Sequence, residues 1–419
     1  MIWDRDVETA PPADVRALAE AAWESQLAHL REHSDFYSAR LGGGQIRLTD
    51  LRNLPFTTKQ DLKRAIDERP PFGSNLCVPE AQVKRIYQTS GTTGAPSVLA
   101  LTPADADTWT EIGMRTYTAT GIQAEHTVLI TFGAGPFVAG HGHFTLGRIG
   151  ARVVPVGPGD TERVLFALSA GLADTLLATP SFAQYLANRA DPPQVAHVVV
   201  GGEPGGGIPE VRDHIQARLG AFVNEIMGIG DISPSLFGEC RHQQGMHFSG
   251  TGHVWPELVD PDSREPMEIE TGAVGELAYT HLTRQAMPVL RFLGGDIVRI
   301  EGTACECGRT SFRMRCLGRR DDMFIVRGVN VYPSAILAVV GAFKPRVTGR
   351  ARVVRDGDGV SVEPPVPVEV EVAGGADPGL AGELEQAIRA RLTFRASVRL
   401  VPEAEFGDAG YKTRLSVRR

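Results

Sequence analysis

The sequence has no long hydrophobic segment, and this absence excludes proteins that span a membrane with helices. Its 419 residues contain no apolar run close to the roughly 18 residues that a transmembrane helix needs. Residues 1–6 carry acidic side chains and lack the apolar core of a signal peptide. We therefore expect a cytoplasmic protein with no membrane partner.

Positive charge and cysteine are also scarce. The chain carries 43 Lys and Arg against 50 Asp and Glu, a net charge of -7, which argues against a nucleic-acid partner. Five cysteines, an odd number, do not suit a disulfide framework and leave metal binding or free thiols. With 42% hydrophobic residues, the composition is typical of a globular protein of two or three domains.

The Walker pattern of the P-loop NTPases is missing as well, yet one loop has the composition of a phosphate-binding site. It lies between the apolar residue Tyr87 and the strand-like residues 98–101. Glycines permit a tight turn whose amide groups point inward, and hydroxyl side chains add donors. A surface turn is the alternative for such a composition. The predicted phosphate-binding residues are Thr89, Ser90, Gly91, Thr92, Thr93 and Gly94.

Three segments narrow this interpretation, because they occur in the same order in a known family. Residues 54–62, 87–102 and 318–334 resemble the motifs of the phenylacetate-CoA ligase family, a branch of the adenylate-forming enzymes. The similarity covers nearly the whole chain. It implies that a carboxylic acid is activated by ATP with magnesium and then transferred to a thiol.

The order of the predicted elements indicates the fold class. Residues 104–205 alternate helix-like and strand-like segments, which predicts a parallel sheet covered by helices and hence an α/β fold. Residues 330–419 read as a small α+β domain. The resemblance implies an adenylate-forming fold with residues 1–318 binding ATP and the acyl substrate, and residues 319–419 forming a mobile domain hinged near Asp321.

Loops that follow the predicted strands are candidates for ligand binding, because open α/β sheets bind ligands at the carboxyl ends of their strands. The resemblance places the acyl-substrate pocket in the loop after strand 127–131 and in segment 224–231. For His141 and His143, a capping or core role is the alternative. The predicted pocket residues are Phe132, Gly133, Ala134, Phe137, His141, Met227 and Gly228.

The resemblance also assigns nucleotide contacts. Gly202, Glu203 and Pro204 match a loop that lies against adenine, with a flexible turn as the alternative. Asp296 matches the aspartate that binds both ribose hydroxyls, which suits a carboxylate because it accepts two hydrogen bonds. Arg319 matches an arginine that contacts ribose or phosphate, although its run of charges would by itself indicate a solvated turn.

Some positions depart from the family pattern. Met227 replaces a tyrosine, Gly230 a threonine and Asp231 a glutamate. Asp231 keeps a carboxylate for magnesium, directly or through water, whereas the hydroxyl contact to phosphate is lost at Gly230. Ala95 occupies a position that often carries lysine, so one cationic phosphate contact is missing.

Lysine is rare in this chain, and one of its few lysines falls near the C-terminus. Lys412 matches the family's catalytic lysine, although Tyr411 separates it from the glycine that the family places directly before it. A surface lysine is the alternative. The resemblance assigns Lys412 to the first half-reaction, where it stabilises charge around the α-phosphate.

Four potential metal ligands come in two pairs, Cys240 with His247 and Cys305 with Cys307. Structural zinc favours four thiolate or imidazole ligands, and Gly308 permits a sharp turn after the second pair. A Cys-x-Cys pair alone is weak evidence. Members of the resembled family hold zinc with Cys and His at matching places, which implies a structural zinc here.

Together these features predict an enzyme that joins a small aryl carboxylic acid to ATP and passes the acyl group to CoA. Polar residues near the expected pocket, His141, His143 and Glu225, favour a ring that carries a hydroxyl or amino group. A carrier-protein thiol or another small nucleophile is the alternative acceptor, and a homodimer is left open. The departures at positions 95, 227 and 230 would also suit a non-catalytic descendant of such an enzyme.

Overall fold

The structure is a computed structural model that describes residues 1–89, 98–135, 137–327, 329–355, 361–374, 377, 379–403, 405–406 and 415–418. The chain divides into two compact units, each built from several segments. The first unit comprises Met1–His126, Phe132–Pro155 and Ile226–Arg315. The second comprises Thr127–Thr131, Val156–Glu225 and Cys316–Arg419.

Helices and strands alternate through much of the described chain. The α-helices are α1 (Arg5–Glu8), α2 (Pro12–His33), α3 (Asp35–Leu41), α4 (Lys59–Glu68), α5 (Pro103–Ala119), α6 (Gly142–Ile149), α7 (Thr161–Ser169), α8 (Pro180–Ala187), α9 (Pro209–Leu219), α10 (Pro333–Gly341) and α11 (Leu380–Leu392). Short 3-10 helices cover Leu48–Asn53, Glu80–Gln82 and Val138–His141.

The strands are β1 (Arg85–Gln88), β2 (Val98–Leu101), β3 (Thr127–Ile130), β4 (Arg152–Pro155), β5 (Thr175–Ala178), β6 (His197–Val200), β7 (Phe222–Ile229), β8 (Ser233–Glu239), β9 (Met246–Phe248), β10 (Val254–Val259), β11 (Pro266–Met267), β12 (Val274–His281), β13 (Phe292–Gly302), β14 (Arg313–Arg319), β15 (Phe324–Val326), β16 (Val329–Val331), β17 (Val347–Arg355), β18 (Val366–Val372), β19 (Ala396–Val401) and β20 (Ser416–Arg418).

The first unit contains an N-terminal helical layer. In α2, Trp23, Leu27 and Leu30 recur at helical spacing and are buried, so one face of the helix packs into a core. Ser34 ends this helix, and its hydroxyl accepts a hydrogen bond of 3.1 Å from the amide of Tyr37. This cap starts α3.

The first unit also contains a hairpin and a mainly antiparallel sheet. The hairpin pairs β1 with β2, and Gln88 lies opposite Val98 across the loop of residues 89–97. The sheet has the strand order β11, β10, β12, β13, β14, β9, β8, followed by residues 226–229 of β7. A capping box starts α5 directly after the hairpin, because Thr102 and Asp105 each accept a hydrogen bond from the other's amide.

The second unit contains the predicted parallel strands. β3, β5, β6 and residues 222–225 of β7 pair in parallel, and the side chains of β5 are buried throughout. Parallel strands covered on both faces have this near-continuous apolar pattern. A second sheet in this unit has the order β19, β18, β17, β20, and α10 and α11 contribute side chains to the same hydrophobic core.

The predicted α/β fold is confirmed. Helices α5 to α8 and strands β3 to β6 alternate over residues 103–200, as the sequence predicted for residues 104–205. Near the N-terminus, Ser34 separates α2 from α3.

Across the described part of the chain, none of the helices combines the length and the apolar character that a bilayer crossing requires.

Candidate active site

Part of the predicted site lies outside the described residues, and the roles of those residues stay predictions. They are Ser90, Gly91, Thr92, Thr93, Gly94 and Lys412. The first residue of the phosphate loop, Thr89, is described and is partly buried at the end of β1.

Gly230 lies beside Thr89. A Cβ atom at Gly230 would come within 2.9 Å of Thr89 Cγ2 and 3.5 Å of Val138 Cγ2, so a side chain would require Thr89 to move. The threonine of the family pattern would therefore crowd this position. Glycine here lets the segment that carries Asp231 approach the start of the phosphate loop.

Asp231 lies between β7 and β8 and is 3% exposed. The preceding backbone is shaped by Gly228, where a Cβ atom would lie 1.9 Å from the carbonyl oxygen of Pro234. The pairing register shifts between Met227 and Ile229, as at a β-bulge. This close backbone approach explains glycine at position 228, and the contacts of Met227 and Gly228 with a substrate stay predictions.

His141 is fully buried between two hydroxyl groups. The Thr110 hydroxyl donates to the carbonyl oxygen of Ala106 at 2.8 Å, so it accepts from His141 Nε2 at 2.9 Å. His141 Nδ1 then accepts from the Tyr87 hydroxyl at 3.2 Å. Burial, and secondly the charge of Arg85, lower the pKa of His141 to about 3. The imidazole is therefore a neutral part of the core in this structure, and its contact with a substrate stays a prediction.

The other predicted pocket residues lie on a compact loop. His143 Nε2 is 2.9 Å from the carbonyl oxygen of Phe132. A Cβ atom at Gly140 would lie 2.8 Å from the carbonyl oxygen of Gly133, so the loop closes on itself through backbone contact. Phe137 bridges to Gln88 at the end of β1. Phe137 therefore lies next to Gln88, which precedes the predicted phosphate loop.

Phe132 is 6% exposed, whereas Phe137 is 37% exposed. The remaining predicted residue of this loop, Ala134, is exposed. The loop thus offers accessible apolar surface, although none of its predicted substrate contacts is tested by this geometry.

Asp296, the predicted ribose-binding residue, lies on β13 and is partly buried. Its carboxylate lies over the backbone of Gly294, since a Cβ atom there would be 3.3 Å from Asp296 Oδ2. Gly295 has a left-handed φ of 85°, and its amide donates to Glu276 Oε1 at 3.0 Å. The two glycines therefore let the strand bend beneath the carboxylate.

In the second unit, Glu203 caps a helix. Its Oε1 accepts from the amide of Ser181 at 2.8 Å, at the start of α8. A carboxylate in this position is stabilised by the helix dipole. Gly202, with a φ of 90°, turns the chain after β6, and Pro204 follows Glu203. The predicted adenine loop is thus anchored by its own glutamate, and its contact with adenine stays a prediction.

Arg319 and Asp321, the predicted nucleotide contact and hinge residue, bind each other. Arg319 Nε and Nη2 donate to the two carboxylate oxygens of Asp321 at 2.9 and 3.1 Å. The pair is partly exposed, so it contributes little stability and can be exchanged for another partner.

The four predicted metal ligands come together in the first unit. Their ligand atoms all lie within 4.8 Å of one another. The Sγ atoms of Cys240 and Cys305 are 3.7 Å apart, and Cys307 Sγ is 3.4 Å from His247 Nε2. Zinc–sulfur bonds of about 2.3 Å give a tetrahedral edge of about 3.8 Å. The donor set and its spacing therefore fit a tetrahedral zinc ion.

The local fold explains this convergence. Cys240 directly follows β8, His247 lies on the adjacent strand β9, and Cys305 begins the turn after β13. The amide of Gly308, whose φ is 90°, donates to the carbonyl oxygen of Cys305 at 3.0 Å. The hydrogen bond from Cys240 holds the pKa of the Cys307 thiol below its usual range. The hydrogen bond thus favours the thiolate form of Cys307, which is the form that binds zinc.

The sequence interpretation missed Arg284. This residue is 3% exposed and lies over the ring of Trp109, with its guanidinium carbon 4.8 Å from the ring centroid. Nothing in the segment around it distinguishes a buried arginine from a solvated one. Only the packing of α5 against the segment after β12 reveals it.

Comparison with known proteins identifies relatives of the chain. No family model matches it. It is 35% identical over 387 residues to a phenylacetate-coenzyme A ligase from Thermus thermophilus, covering 88% of this chain and 84% of that protein. It is 34% identical over 348 residues to a phenylacetate-coenzyme A ligase from Escherichia coli, covering 79% of this chain and 77% of that protein.

A solved structure with a similar fold is a 2-hydroxyisobutyryl-CoA ligase in the post-adenylation state, in complex with R3-HIB-AMP. The two structures superpose with a TM-score of 0.89 at 25% sequence identity. The alignment covers 100% of this chain and 92% of the ligase chain. The named substrates of these relatives differ, since phenylacetate is aromatic and 2-hydroxyisobutyrate is a small aliphatic hydroxy acid.

Proposed function

Since the chain belongs to the phenylacetate-CoA ligase family of adenylate-forming enzymes, we propose that it activates a small aryl carboxylic acid with ATP and transfers the acyl group to CoA. The observation that carries this proposal is the match at 35% identity along 84% of a phenylacetate-coenzyme A ligase. The position of Asp231, the loop of residues 132–137 and Thr89 in one unit supports it.

In the first half-reaction, a carboxylate oxygen of the acid attacks the α-phosphorus of ATP. The bond between the α-phosphorus and its bridging oxygen breaks, and pyrophosphate leaves with that oxygen. Negative charge gathers on the phosphates as this occurs. The amides and hydroxyls of residues 89–94 and the ammonium of Lys412 stabilise that charge, because donors fixed in place before the reaction need no reorganisation.

In the second half-reaction, the sulfur of CoA attacks the acyl carbon. The acyl–oxygen bond breaks, AMP leaves with one oxygen of the original carboxylate, and the thiol proton passes to solvent. Lys412 is needed only in the first half-reaction. We expect the segment of residues 319–419 to move about Asp321 between the two steps, which the exchangeable Arg319–Asp321 pair permits.

Asp231 is the residue that would hold magnesium. A hard cation prefers carboxylate oxygens, and the 3% exposure of Asp231 keeps its carboxylate away from bulk water. When bound, magnesium supplies positive charge that polarises the phosphate oxygens.

Zinc is proposed as a structural ion held by Cys240, His247, Cys305 and Cys307. Four such ligands would fill the tetrahedral coordination of zinc and leave no position for a substrate. The ion would fasten the turn after β13 to strands β8 and β9.

The acid is proposed to be aromatic and to carry a ring hydroxyl or amine. The partly exposed Phe137 and the buried Phe132 give the loop an apolar character that suits a flat ring. The polar side chain of His143 lies beside the same loop, since its Nε2 is 2.9 Å from the carbonyl oxygen of Phe132, and a polar group there suits a ring that carries a hydroxyl or an amine. CoA is preferred over a carrier protein as acceptor because the relatives are CoA ligases. The homodimer and the cytoplasmic location stay predictions.

The test is a screen of pyrophosphate release with ATP and magnesium. It compares ring-substituted aryl acids, unsubstituted aryl acids and 2-hydroxyisobutyrate, each with and without CoA. We expect release with aryl acids and the largest rate with a hydroxyl- or amino-substituted ring. A preference for 2-hydroxyisobutyrate would contradict the aryl pocket, and turnover that ignores CoA would point to another acceptor.

A further inference from the structure

Arg284 is a buried cation whose hydrogen-bonding groups are not used by the described part of the chain. Its side chain is 3% exposed, and the Nε and Nη2 atoms are buried with no hydrogen-bond partner among the described residues. Burying a charge without hydrogen bonds is unfavourable, so proteins rarely retain such a group unless something compensates for it.

The described neighbouring groups do not form those hydrogen bonds. Asp105 instead accepts from the amides of Thr102, Gln285 and Ala286 at 2.7 to 3.0 Å. His281 is engaged through both nitrogens, because Nε2 lies 3.4 Å from the carbonyl oxygen of Ile232 and Nδ1 accepts from a backbone amide. The nearby polar groups therefore surround Arg284 without binding it.

The packing connects Arg284 through Trp109 to Ile232 and Tyr87. Its guanidinium lies over Trp109, whose Nε1 donates to the carbonyl oxygen of Ile232 at 2.7 Å. Ile232 directly follows Asp231 in the chain. The Trp109 ring also lies 5.7 Å from the ring of Tyr87, which precedes the predicted phosphate loop. Arg284 thus lies near both the proposed magnesium ligand and the start of that loop.

Electrostatics support the same placement. Burial lowers the pKa of Arg284, whereas the charges of Asp105 and Asp231 raise it. Arg284 and Asp231 therefore interact, and a magnesium-bound polyphosphate near them would have a cation for its phosphate oxygens and a carboxylate for its metal.

We propose that Arg284 is a phosphate-binding residue that donates to the polyphosphate of ATP and to the pyrophosphate formed from it. It supplies a cation for the phosphates in a chain that has Ala95 where the family pattern often has lysine. This inference rests on the proposed function, because it names a further contact of the same substrate.

The test measures binding of magnesium pyrophosphate to the purified full-length protein by isothermal titration calorimetry. Arg284→Gln is expected to weaken binding at least tenfold. Arg284→Lys is expected to weaken it less, because a compact cation remains but the planar donor fork is lost. The affinity for the aryl acid is expected to stay within twofold of the wild type in both variants.

Arg291→Gln is the matched control. Arg291 is equally buried but is bound by protein groups, so its replacement is expected to lower stability and to leave pyrophosphate affinity unchanged in the folded fraction. A second readout needs no change at Arg284: pyrophosphate is expected to alter the tryptophan fluorescence of the wild type and not that of Trp109→Phe.

Unchanged pyrophosphate affinity in Arg284→Gln would overturn the inference, as would a loss of aryl-acid affinity with pyrophosphate affinity preserved. The outcomes also distinguish a failure of this inference from a failure of the proposed function. If no acid yields an adenylate while pyrophosphate binding still depends on Arg284, the phosphate contact stands without the ligase activity. If adenylates form and the variant binds pyrophosphate normally, the activity stands and Arg284 is structural.

Discussion

Arg284 and Arg291 lie seven positions apart and are equally buried, yet they differ in the hydrogen bonds that the protein gives their guanidinium groups. Each is 3% exposed, and each guanidinium lies over an aromatic ring. Arg291 binds Glu257 through Nε at 3.2 Å and the carbonyl oxygens of Arg52 and Leu54 through Nη1 at 2.8 and 2.6 Å. Arg284 has no such bonds within the described residues.

The difference separates a structural cation from one that is available to a ligand. Around Arg291 the protein supplies acceptors for Nε and Nη1, which ties residues 52–54 to the start of β13, and only Nη2 has no partner among the described residues. Around Arg284 the described acceptors of Asp105 and His281 are bonded to other groups, and our proposal assigns its free donors to a ligand. The predictions below test this distinction and extend it to the other charged and metal-binding groups.

The largest expected effect is on the rate of adenylate formation, and it follows from replacing Lys412, which is outside the described residues. Lys412→Ala should lower the rate of adenylate formation by roughly 10²- to 10³-fold, because a donor to the developing charge is lost. Thiol transfer from a supplied acyl-adenylate should change only a few-fold. Single-turnover assays of the two half-reactions measure both rates, and an equal loss in the two would refute the assignment.

Removal of a metal ligand is expected to affect stability more than chemistry. Cys307→Ser should abolish the binding of about one zinc per chain and lower the free energy of unfolding by roughly 4 kcal/mol or more. Mass spectrometry of metals and urea unfolding test this. Cys316→Ser is the control, because Cys316 is outside the ligand cluster and its variant should keep zinc. Protein prepared without chelator that contains no zinc would refute the site.

The two arginines should differ in their contribution to stability. Arg291→Gln is expected to lower the free energy of unfolding by about 3 kcal/mol, because the partly buried Glu257, whose side chain is 12% exposed, loses its partner. Arg284→Gln, measured without nucleotide, is expected to change it by less than about 1 kcal/mol, since no protein hydrogen bond is lost. If urea unfolding shows equal losses of unfolding free energy in the two variants, the distinction between a structural arginine and a ligand-binding arginine is wrong.

A smaller effect is expected from pH, through His141 and His281. Burial lowers the pKa of both imidazoles to about 3 in the folded protein, against about 6.5 when unfolded. Above pH 6.5 both are neutral in either state. As the pH falls from 6.5 towards 3, only the unfolded chain takes up protons, so stability falls by about 2 kcal/mol per histidine at pH 5.

Urea unfolding at pH 7, 6 and 5 measures this loss, and the variant His141→Gln isolates one histidine from the carboxylates that also titrate. The variant should lose about 2 kcal/mol less than the wild type between pH 7 and pH 5. An identical pH dependence in the two proteins would contradict the neutral, buried state of His141.

Much of the fold could be predicted, because its parallel part has a strong local signal. Strands such as β6 and β18 are continuous apolar or alternating runs, and Thr102 marks the start of α5 with a capping box. The antiparallel strands β8 to β14 were missed. Their partners are distant in sequence and their segments are interrupted, as in β8 by Pro234 and Gly238, so local periodicity does not indicate them.

The candidate site was predictable only where its residues form motifs. The four metal ligands, predicted through the family resemblance, converge in the structure. His141 was also singled out, but its hydrogen bonds to Tyr87 and Thr110 depend on tertiary packing that no pattern reveals. Arg284 was missed for the same reason, since its significance lies in its burial and in the commitment of its neighbours.

The most direct test of adenylation follows the oxygen atoms of the substrate. The best aryl acid of the screen, labelled with ¹⁸O in its carboxylate, is incubated with ATP, magnesium and CoA, and the products are examined by mass spectrometry. The account predicts that each AMP carries one labelled oxygen from the acid and that the acyl-CoA keeps the other. Unlabelled AMP, or formation of ADP and labelled phosphate, would contradict an acyl-adenylate intermediate.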